Sequence, residues 1–399
     1  MSDLPTRQPV LAFNSGSSSL KFGLYRIVTD GPVALISGEI ETLGDGRCRL
    51  HASDGAGAGQ IDEALDVADP AEGIGRLQAL FAGASTPGAI GHRIVHGGPT
   101  LRRHCLIDDR VQNALDAAVA FAPLHAPAAL AVIRYARQHF PCVPQAACFD
   151  TAFHADLPET ARTLPLPADL RAQGIQRYGF HGLSCQSIVR QLGPDIAERV
   201  VIAHLGSGAS ITAVKGGRSV DTSMGLTPSG GVIMGSRTGD IDPGILLYLM
   251  REKGLGAAEL EDLIDHRSGL AGLSGTSSDV RRLNQVVDSE PKARLALDMF
   301  EISIAKQIAG MIVVLGGIDT LVFTGGIGEN DARARSGIVG RLACFGLELD
   351  PVRNRRACNP LSAVKSRARV LALPSREDDE IAWHTALLAY PGRQPHAPE

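Results

Sequence analysis

Two short turns rich in glycine and serine are the segments of this 399-residue chain best suited to hold an anion. The first turn spans Asn14–Lys21 and the second spans His204–Ser210. Small residues allow backbone N–H groups and hydroxyls to approach phosphate oxygens closely. Such turns also close ordinary β-hairpins, but their duplication and the lysine that ends the first turn favour phosphate binding.

The two turns lie in matching sequence contexts. At a constant offset of 191 residues, Val10 aligns with Val201 and Ser19 aligns with Ser210. Each copy has an apolar run before the turn and an alternating run after it, which is the pattern of a β-hairpin. The chain is therefore predicted to contain one folding unit twice, with a nucleotide held between two domains.

Two arginines and a histidine beside glycines could meet a transferring phosphoryl group. Arg93 lies on a predicted strand that ends in two glycines, and Arg237 lies in a loop of small residues. A planar, permanently charged guanidinium suits carboxylate and phosphate oxygens. His181, which is followed by a glycine, would donate a hydrogen bond to the same group. Together these residues predict a reaction that concentrates negative charge on its transition state.

The remaining polar candidates lie near the ends of predicted strands. Asp150 follows an apolar run, where it can hold Mg²⁺ directly or through water or can cap the next turn. His92 and His96 are four residues apart in an extended strand, or about 13 Å, so they are interpreted as structural rather than metal-binding. Residues 322–330 have the pattern of a strand, a glycine loop and a helix start, against which an adenosine could lie.

The composition limits the classes of partner. The formal net charge is −4, from 39 basic and 43 acidic residues, so no basic field is available to hold nucleic acid or an anionic membrane. The seven cysteines have no C-x-x-C spacing, which indicates neither a disulfide framework nor a zinc site. No basic region with a long apolar stretch begins the chain, and no apolar run approaches ~18 residues. These features predict a cytoplasmic protein without nucleic-acid or membrane partners.

Strand-like apolar runs alternate with helical patterns, which predicts an α/β architecture. The predicted strands cover residues 10–13, 20–27, 89–95, 145–149, 200–204 and 320–324. The clearest helix is Leu295–Leu315, which ends before two glycines. Its predicted core face consists of Leu295, Met299, Ile302, Ile304, Ile308, Met311 and Ile312. The length predicts roughly two or three domains, with a boundary near residue 151.

In order along the chain, these segments resemble those of the acetokinase family, within the superfamily of actin, hexokinase and heat-shock-chaperone ATPases. The resemblance extends from Val10 to about Thr385, and it is carried by the two turns and by residues 92–98, 122–125, 149–154, 178–182, 234–243 and 323–330. It implies a duplicated ribonuclease-H-like, actin-like ATPase fold with an interdomain nucleotide cleft. Residues 1–151 with 384–399 would form an acyl-site domain with a C-terminal helix, and residues 152–383 a nucleotide-binding domain. The resemblance also implies a homodimer.

The resemblance implies a reversible, Mg²⁺-dependent and direct in-line transfer of the γ-phosphoryl group of ATP to acetate, giving acetyl phosphate and ADP. Mn²⁺ would be able to replace Mg²⁺. The implied catalytic residues are Asn14, Arg93, Asp150, His181 and Arg237, and the implied metal-site residues are Asn14, Asp150 and Glu377. The acyl pocket would consist of Arg93, Val95, Leu124, Phe180 and Pro228. The nucleotide would be bound by Ser17, Ser19, Lys21, His204, Gly206, Ser207, Gly208, Ser210, Asp279, Arg281, Gly326, Ile327 and Asn330.

Three positions depart from the family pattern. Ser207 stands where asparagine is common, Leu183-Ser184-Cys185 replaces Thr-Ser-His, and Ala126 replaces a frequent asparagine. These changes concern nucleotide contacts and packing. They leave the arginine pair, Asp150 and His181 unchanged.

Other functions would use the same framework. A propionate kinase would have the same machinery, and a sugar or polyol kinase would need an aspartate base, a role open to Asp150. A non-catalytic, actin-like ATP-binding switch would keep the two turns and have no use for Arg93. Two arginines favour an anionic acceptor, and a carboxylate that is ionised at pH 7 needs no general base.

Overall fold

The computed structural model describes residues 8–16, 19–43, 46–55, 59–82, 86–123 and 126–391, which form two compact units. The first unit contains the residues up to Ala155 and those from Arg376 onward, and the second is Asp156–Ser375. The sequence analysis placed the boundaries after residues 151 and 383. In the structure the chain returns to the first unit earlier, at Arg376, so the whole C-terminal helix belongs to that unit.

A β-sheet lies in each unit. The strands of the first unit are β1 (Val10–Ser15), β2 (Ser19–Val28), β3 (Gly31–Thr42), β4 (Cys48–Asp54), β5 (Gln60–Leu65), β6 (Ala89–Ile94), β7 (Cys105–Leu106) and β8 (Gln145–Phe149). Those of the second unit are β9 (Arg199–Leu205), β10 (Ala209–Lys215), β11 (Arg218–Thr222), β12 (Thr320–Thr324) and β13 (Arg369–Ala372). The predicted strands are confirmed, as β1, β2, β6, β8, β9 and β12.

Helices connect or follow several of the strands. Those of the first part of the chain are α1 (Ile74–Ala82), α2 (Asp109–Ala117) and α3 (Ala126–His139). Those of the second unit are α4 (Glu159–Arg162), α5 (Ala168–Ala172), α6 (Gly182–Leu192), α7 (Pro243–Lys253), α8 (Ala257–His266), α9 (Gly269–Ser274), α10 (Val280–Val286), α11 (Pro291–Leu315), α12 (Gly325–Asn330), α13 (Ala332–Gly340) and α14 (Pro351–Arg355). The last helix, α15 (Glu377–Ala389), packs on β1, β6 and β8 of the first unit.

The two sheets share a strand order. Among the described residues, the first sheet has the order β5-β4-β3-β2-β1-β6-β8-β7 and the second has the order β11-β10-β9-β12-β13. The segment β3-β2-β1-β6-β8 therefore matches the second sheet strand for strand. In both sheets the first two of these pairings are antiparallel and the last two are parallel. The predicted duplication and α/β class are confirmed.

The two equivalent hairpins differ in the length of their turns. Val10 pairs with Tyr25, 15 positions later, whereas Val201 pairs with Ala213, 12 positions later. The second connection is thus three residues shorter, and no constant offset aligns both strands of the two hairpins. The gap-free alignment was therefore wrong beyond the turn, where Ser19 is three residues out of register with Ser210 once the first strands are matched.

The helix predicted at residues 295–315 is confirmed as α11, which begins earlier, at Pro291. It ends at Leu315 and is capped by Gly316, whose φ of 70° lies in the left-handed region that glycine favours. Ile304, Ile308, Met311 and Ile312 are buried, whereas Met299 is half-buried and Leu295 and Ile302 are 53% and 48% exposed. The predicted core face was wrong at Leu295 and Ile302. The helix has apolar residues on most sides, so their spacing alone does not identify the buried face.

The core of the first unit holds β1 and β6 in place. Leu11, Phe13 and Ile90 of these strands are buried together with Leu77 and Phe81 of α1. A fully buried leucine or phenylalanine side chain contributes about 1.5–3 kcal/mol, so the ends of these strands have a rigid support. Within the described ranges, no helix has both the length and the apolar character needed to cross a bilayer.

Candidate active site

Three polar side chains of the first unit meet at the ends of neighbouring strands. β1, β6 and β8 are adjacent and parallel, and Asn14, Arg93 and Asp150 lie at or just beyond their carboxyl ends. Ligand-binding groups collect at this edge of parallel sheets. The sequence analysis predicted this position for Asp150, and the structure brings Asn14 and Arg93 to the same edge.

Arg93 is the centre of this cluster. Its Nε and Nη2 atoms donate to Oδ2 of the buried Asp150 at 2.9 and 2.7 Å, and its Nη1 donates to Oδ1 of Asn14 at 3.3 Å. Burial by itself lowers the pKa of an arginine, but the negative charges of Asp150 and Glu377 raise the pKa of Arg93 above its ordinary value. The guanidinium is therefore permanently charged and held in one orientation.

The first turn of α15 supplies further carboxylates. Glu377 and Asp378 accept hydrogen bonds from Asn14 Nδ2 at 3.2 and 2.9 Å, and Glu377 Oε2 lies 4.0 Å from Arg93 Nε. The sequence analysis selected Glu377 and missed Asp378. The available signal was the acidic run at residues 377–380, because the N-terminus of a helix favours negative charge.

This crowding of carboxylates changes their protonation. Burial raises the pKa of Asp378, against the opposite effect of the hydrogen bond from Asn14, and the neighbouring Glu377 raises it further. Burial also raises the pKa of the adjacent Asp379 to about 6. Carboxylates in this state favour the neutral form or a nearby cation.

In the second unit, His181 occupies an uncommon backbone conformation. Its φ of 54° and ψ of 28° lie in the left-handed region, and it precedes the first residue of α6. This conformation costs a non-glycine residue roughly 1–2 kcal/mol, and such positions cluster at functional sites. The ring Nδ1 lies 3.0 Å from Ser210 Oγ on β10, and the ring stacks on that of His204 at 4.1 Å between centroids. The strained backbone is that of His181 itself, and the contacts with Ser210 and His204 fix the orientation of its ring.

The glycine at position 208 leaves space where His181 and Arg237 converge. A Cβ atom at Gly208 would lie 3.3 Å from His181 Nε2 and 3.4 Å from Arg237 Nη1. The same Nη1 donates to the backbone oxygen of Pro228 at 3.3 Å. Two nitrogens that can donate lie close to one point beside a Gly/Ser turn, which suits an oxygen of a phosphoryl group.

A cavity of about 780 Å³ lies beside the second turn, a volume within the range of small-molecule sites. It is lined by residues that the sequence analysis assigned to the nucleotide, namely Gly206, Ser207, Asp279, Arg281, Gly326, Ile327 and Asn330. The sequence analysis missed Asn284, which also lines the cavity and donates through Nδ2 to Asp331 Oδ2 at 2.6 Å. The side chains thus combine apolar walls with polar groups.

The other predicted residues are distributed over both units. Ser19 and Lys21 lie on β2 of the first unit, opposite the end of β1. Of the predicted acyl pocket, Val95 lies in the first unit and Phe180 and Pro228 lie in the second. Ser17 and Leu124 lie outside the described residues.

Of the three departures from the family pattern, Ala126 is the first residue of α3 and the other two bear on the candidate site. Ser207 lines the cavity, so it bears on nucleotide contacts. Leu183 and Cys185 are buried on α6, and Cys185 Sγ lies 3.7 Å from Thr212 Oγ1. These two residues therefore contribute to packing beneath the site.

The oxygen atoms of Asn14, Asp150 and Glu377 are the kind of ligand that Mg²⁺ prefers. In the part of the chain that the structure describes, no group of three or more His, Cys, Asp or Glu side chains is arranged to hold a metal ion. The donor set fits a Mg²⁺ ion that takes one or two carboxylates and completes its coordination with phosphate oxygens and water. It does not fit an ion enclosed by protein ligands alone.

Comparison with known proteins places this chain in a family. The model of the acetokinase family matches residues 9–383. The acetate kinase of Nitrobacter hamburgensis is 42% identical over 394 residues, which cover 95% of this chain and 96% of that protein. The acetate kinase of Leifsonia xyli is 42% identical, with 94% and 97% covered.

Solved structures agree with the sequence relatives. A propionate kinase from Francisella tularensis has a TM-score of 0.89 at 34% identity, covering 96% of this chain and 100% of that one. The acetate kinase of Porphyromonas gingivalis has a TM-score of 0.84 at 32% identity, with the same coverage. The likeness thus extends over both units.

Proposed function

The chain belongs to the acetokinase family, and we propose that it transfers the γ-phosphoryl group of ATP reversibly to acetate, giving acetyl phosphate and ADP. It is a phosphotransferase whose acceptor is a carboxyl group. The observation that carries the mechanism is the permanently charged guanidinium of Arg93, held by Asp150 and Asn14. Its fork matches carboxylate or phosphoryl oxygens.

Catalysis by these residues requires alignment and neutralisation of charge. Acetate is ionised at pH 7, so no general base is needed. Asp150 Oδ2 accepts two hydrogen bonds from Arg93, which commits that oxygen to the guanidinium rather than to a substrate hydroxyl. The fixed positive charge of Arg93 favours an anionic carboxylate acceptor over a neutral sugar or polyol, and a non-catalytic ATP-binding switch would have no use for the cluster.

The second unit would bind the nucleotide and the transferring group. A carboxylate oxygen of acetate attacks the γ-phosphorus while the bond from phosphorus to the β–γ bridging oxygen breaks, which leaves ADP. His181 and Arg237 would donate to the phosphoryl oxygens on which charge develops. Removing one such donor typically lowers kcat by about 10²–10³.

Asn14, Asp150 and Glu377 would hold Mg²⁺, and Mn²⁺ would suit the same oxygen donors. When bound, the ion would neutralise charge on the phosphate oxygens. Asn14 would bind the ion through Oδ1, which also accepts from Arg93 Nη1 and has a second lone pair for the ion.

We propose acetate rather than propionate as the preferred acyl group, since the sequence relatives carry the name acetate kinase. Val95, Leu124, Phe180 and Pro228 would contact the methyl group. An apolar pocket discriminates one methylene by only about 1–3 kcal/mol, so propionate should be a weaker substrate rather than an excluded one. The propionate kinase among the structural relatives makes propionate preference the alternative.

We also propose a homodimer, formed through α7. Every residue of α7 is described and none is buried, and Ile245, Leu247, Tyr248 and Met250 are 46–55% exposed. An exposed apolar patch of this kind marks an interaction surface, and a twofold axis would pair it with its own copy. Sedimentation velocity of wild type and of Leu247→Glu/Tyr248→Glu tests this: we expect a dimer and a monomer respectively, and a monomeric wild type would contradict it.

We place the protein in the cytoplasm. Every cysteine falls in the described ranges and is free of a disulfide. Free thiols persist in reducing compartments. Cell fractionation with antibody detection measures the location, and a secreted protein would contradict the proposal.

The proposed reaction is tested with purified protein, ATP, Mg²⁺ and a series of carboxylates, with acyl phosphate trapped by hydroxylamine. We expect hydroxamate with acetate, less with propionate and least with butyrate. A preference for propionate would replace the acyl assignment and keep the reaction class. ATP turnover that no carboxylate stimulates would contradict the proposed function.

A further inference from the structure

A chain of hydrogen bonds links His204 to the point where the polypeptide leaves the second unit. Ser375 Oγ donates to Ser184 Oγ at 3.0 Å, and Ser184 Oγ lies 2.7 Å from His204 Nδ1. The backbone N–H of Ser375 donates to Glu329 Oε1 at 2.9 Å, and the same oxygen accepts from the N–H of Gly325 at 3.0 Å. Ser375 is the last residue of the second unit.

These contacts fix the direction of the bond between Ser184 and His204. Ser184 is fully buried, and its Oγ accepts the hydrogen of Ser375. Within the described residues, His204 Nδ1 is the remaining contact of this hydroxyl, and a buried O–H without an acceptor costs about 1–3 kcal/mol. Ser184 therefore donates to Nδ1, and the neutral imidazole carries its proton on Nε2.

The Nε2 atom of His204 lies beside Gly206 of the second turn and Gly325 at the start of α12. A Cβ atom at Gly325 would lie 3.2 Å from Nε2, and one at Gly206 would lie 3.6 Å from it. Gly206 also lines the candidate nucleotide cavity. An N–H at this place can donate to a phosphate oxygen, whereas an unprotonated nitrogen would present a lone pair to it.

We propose that Ser184 is a positioning residue of the nucleotide site, which keeps the proton of His204 on Nε2 so that this atom donates to a phosphate oxygen of the bound nucleotide. The proposal rests on the proposed function in taking the ligand to be a nucleotide. Through Ser375 and Glu329, the same contacts hold the start of α12 at Gly325 and the segment that leads to Glu377.

The tautomer of His204 is measured in the full-length protein labelled with ¹⁵N at histidine, by long-range ¹H–¹⁵N correlation spectra of the imidazoles. The His204 signals are identified by their loss in His204→Gln. In the wild type we expect an unprotonated Nδ1 and a protonated Nε2, and we expect Nε2 to shift with ADP but not with adenosine. In Ser184→Ala we expect a mixture of both tautomers.

Calorimetric titration with ADP and adenosine gives a second readout. Ser184→Ala should weaken ADP binding about tenfold, as for the loss of one hydrogen bond to a charged group, and leave adenosine binding unchanged. Ser187→Ala is the matched control, since Ser187 is a buried serine on α6 whose Oγ donates to the backbone oxygen of Ser184 at 2.8 Å. It should behave as the wild type.

A protonated Nδ1 in the wild type would overturn the proposal, and that spectrum needs no variant to fold. Equal tautomers and equal ADP affinities in Ser184→Ala and Ser187→Ala would also overturn it. Neither readout needs catalytic turnover. If the protein phosphorylated no carboxylate, the proposed function would be contradicted, and the tautomer of His204 would still test this inference.

Discussion

The two units have the same strand order but place different chemistry at the ends of matching strands. In the first unit, the ends of β1 and β6 carry Asn14 and Arg93, and α15 adds carboxylates beside them. In the second unit, the end of β9 carries His204, and β12 leads directly into Gly325. One copy of the sheet presents fixed charge, and the other presents an imidazole and open backbone.

We propose that the duplicated frame separates two tasks. Full charges at the first sheet suit the carboxylate acceptor, and Arg237 of the second unit would neutralise charge on the transferring phosphoryl group. Glycines and neutral donors at the second sheet suit a nucleotide, whose phosphates need close backbone approach. The matched strands provide the support in both cases, and the residues that follow them determine the chemistry.

Loss of Arg93 tests the charged side of this comparison and should have the largest effect. Arg93→Ala is expected to lower kcat at least ~100-fold, because it removes a fixed charge and leaves the buried Asp150 without its guanidinium. Arg237→Ala should lower kcat to a similar degree. Steady-state kinetics measure both, with circular dichroism to verify folding.

Arg49→Ala is the control for Arg93→Ala. Arg49 forms an exposed ion pair with Asp62 at 2.6 Å on another part of the first sheet, so its loss should leave kcat unchanged. Near-normal kcat in a folded Arg93→Ala variant would show that other residues neutralise the charge of the transition state.

Gly208→Ala tests the open backbone of the second unit. The new Cβ would stand 3.3 Å from His181 Nε2 and 3.4 Å from Arg237 Nη1, so we expect kcat to fall about tenfold or more as donors or phosphoryl group are displaced. Gly310→Ala in α11, where no atom beyond the adjacent backbone of the helix lies within 4 Å of the new Cβ, should keep full activity. Equal kinetics of the two variants would remove Gly208 from the site.

Glu377→Gln tests whether the carboxylates of α15 serve the metal. We expect a several-fold higher Mg²⁺ concentration at half-maximal activity, because a neutral amide is a poorer ligand for a hard cation. Glu63→Gln, which alters an exposed pair with Arg76, is the control. A lower kcat with an unchanged Mg²⁺ titration would assign Glu377 another role.

The smallest expected effect is on the free energy of unfolding and comes from the carboxylates in the first turn of α15. Burial raises the pKa of Asp379 to about 6 from an ordinary 3.8, so its contribution to stability is complete below 3.8 and is lost as the pH rises through 6. Asp379→Asn should therefore stabilise the fold at pH 7–8 by on the order of 1 kcal/mol, after allowance for solvent screening, and have no effect near pH 3.

Thermal unfolding between pH 3 and pH 8 measures this difference. Asp66→Asn changes the net charge equally at an exposed position and should leave the melting temperature unchanged at every pH. A destabilised Asp379→Asn at pH 8 would mean that the ionised carboxylate is favoured in the fold.

Much of the frame could be predicted from the sequence, because buried strands such as β1 and β12 are short apolar runs followed by turn residues. The contact of Arg93 with Asp150 could not, since it joins residues 57 positions apart. The turn lengths of the two hairpins and the conformation of His181 depend on tertiary contacts that a pattern of residue types does not encode.

Asp378 and Ser184 show the same limit at the candidate site. Asp378 was one acid in a run of four, and nothing in the pattern indicates which of them contact Asn14. Ser184 is the unchanged residue between the departures at Leu183 and Cys185, and its bond to His204 spans 20 positions. Residue types identified the candidate chemistry, and the fold selected the partners.

The central claim is that a carboxylate accepts the phosphoryl group directly. It is tested most directly with acetate labelled with ¹⁸O in both oxygens, by ³¹P spectroscopy and mass spectrometry of the product formed from ATP and Mg²⁺. We predict acetyl phosphate that keeps one ¹⁸O in the bridge between carbon and phosphorus, with no oxygen taken from solvent water. Inorganic phosphate that carries solvent oxygen, formed at a rate independent of acetate, would contradict the account.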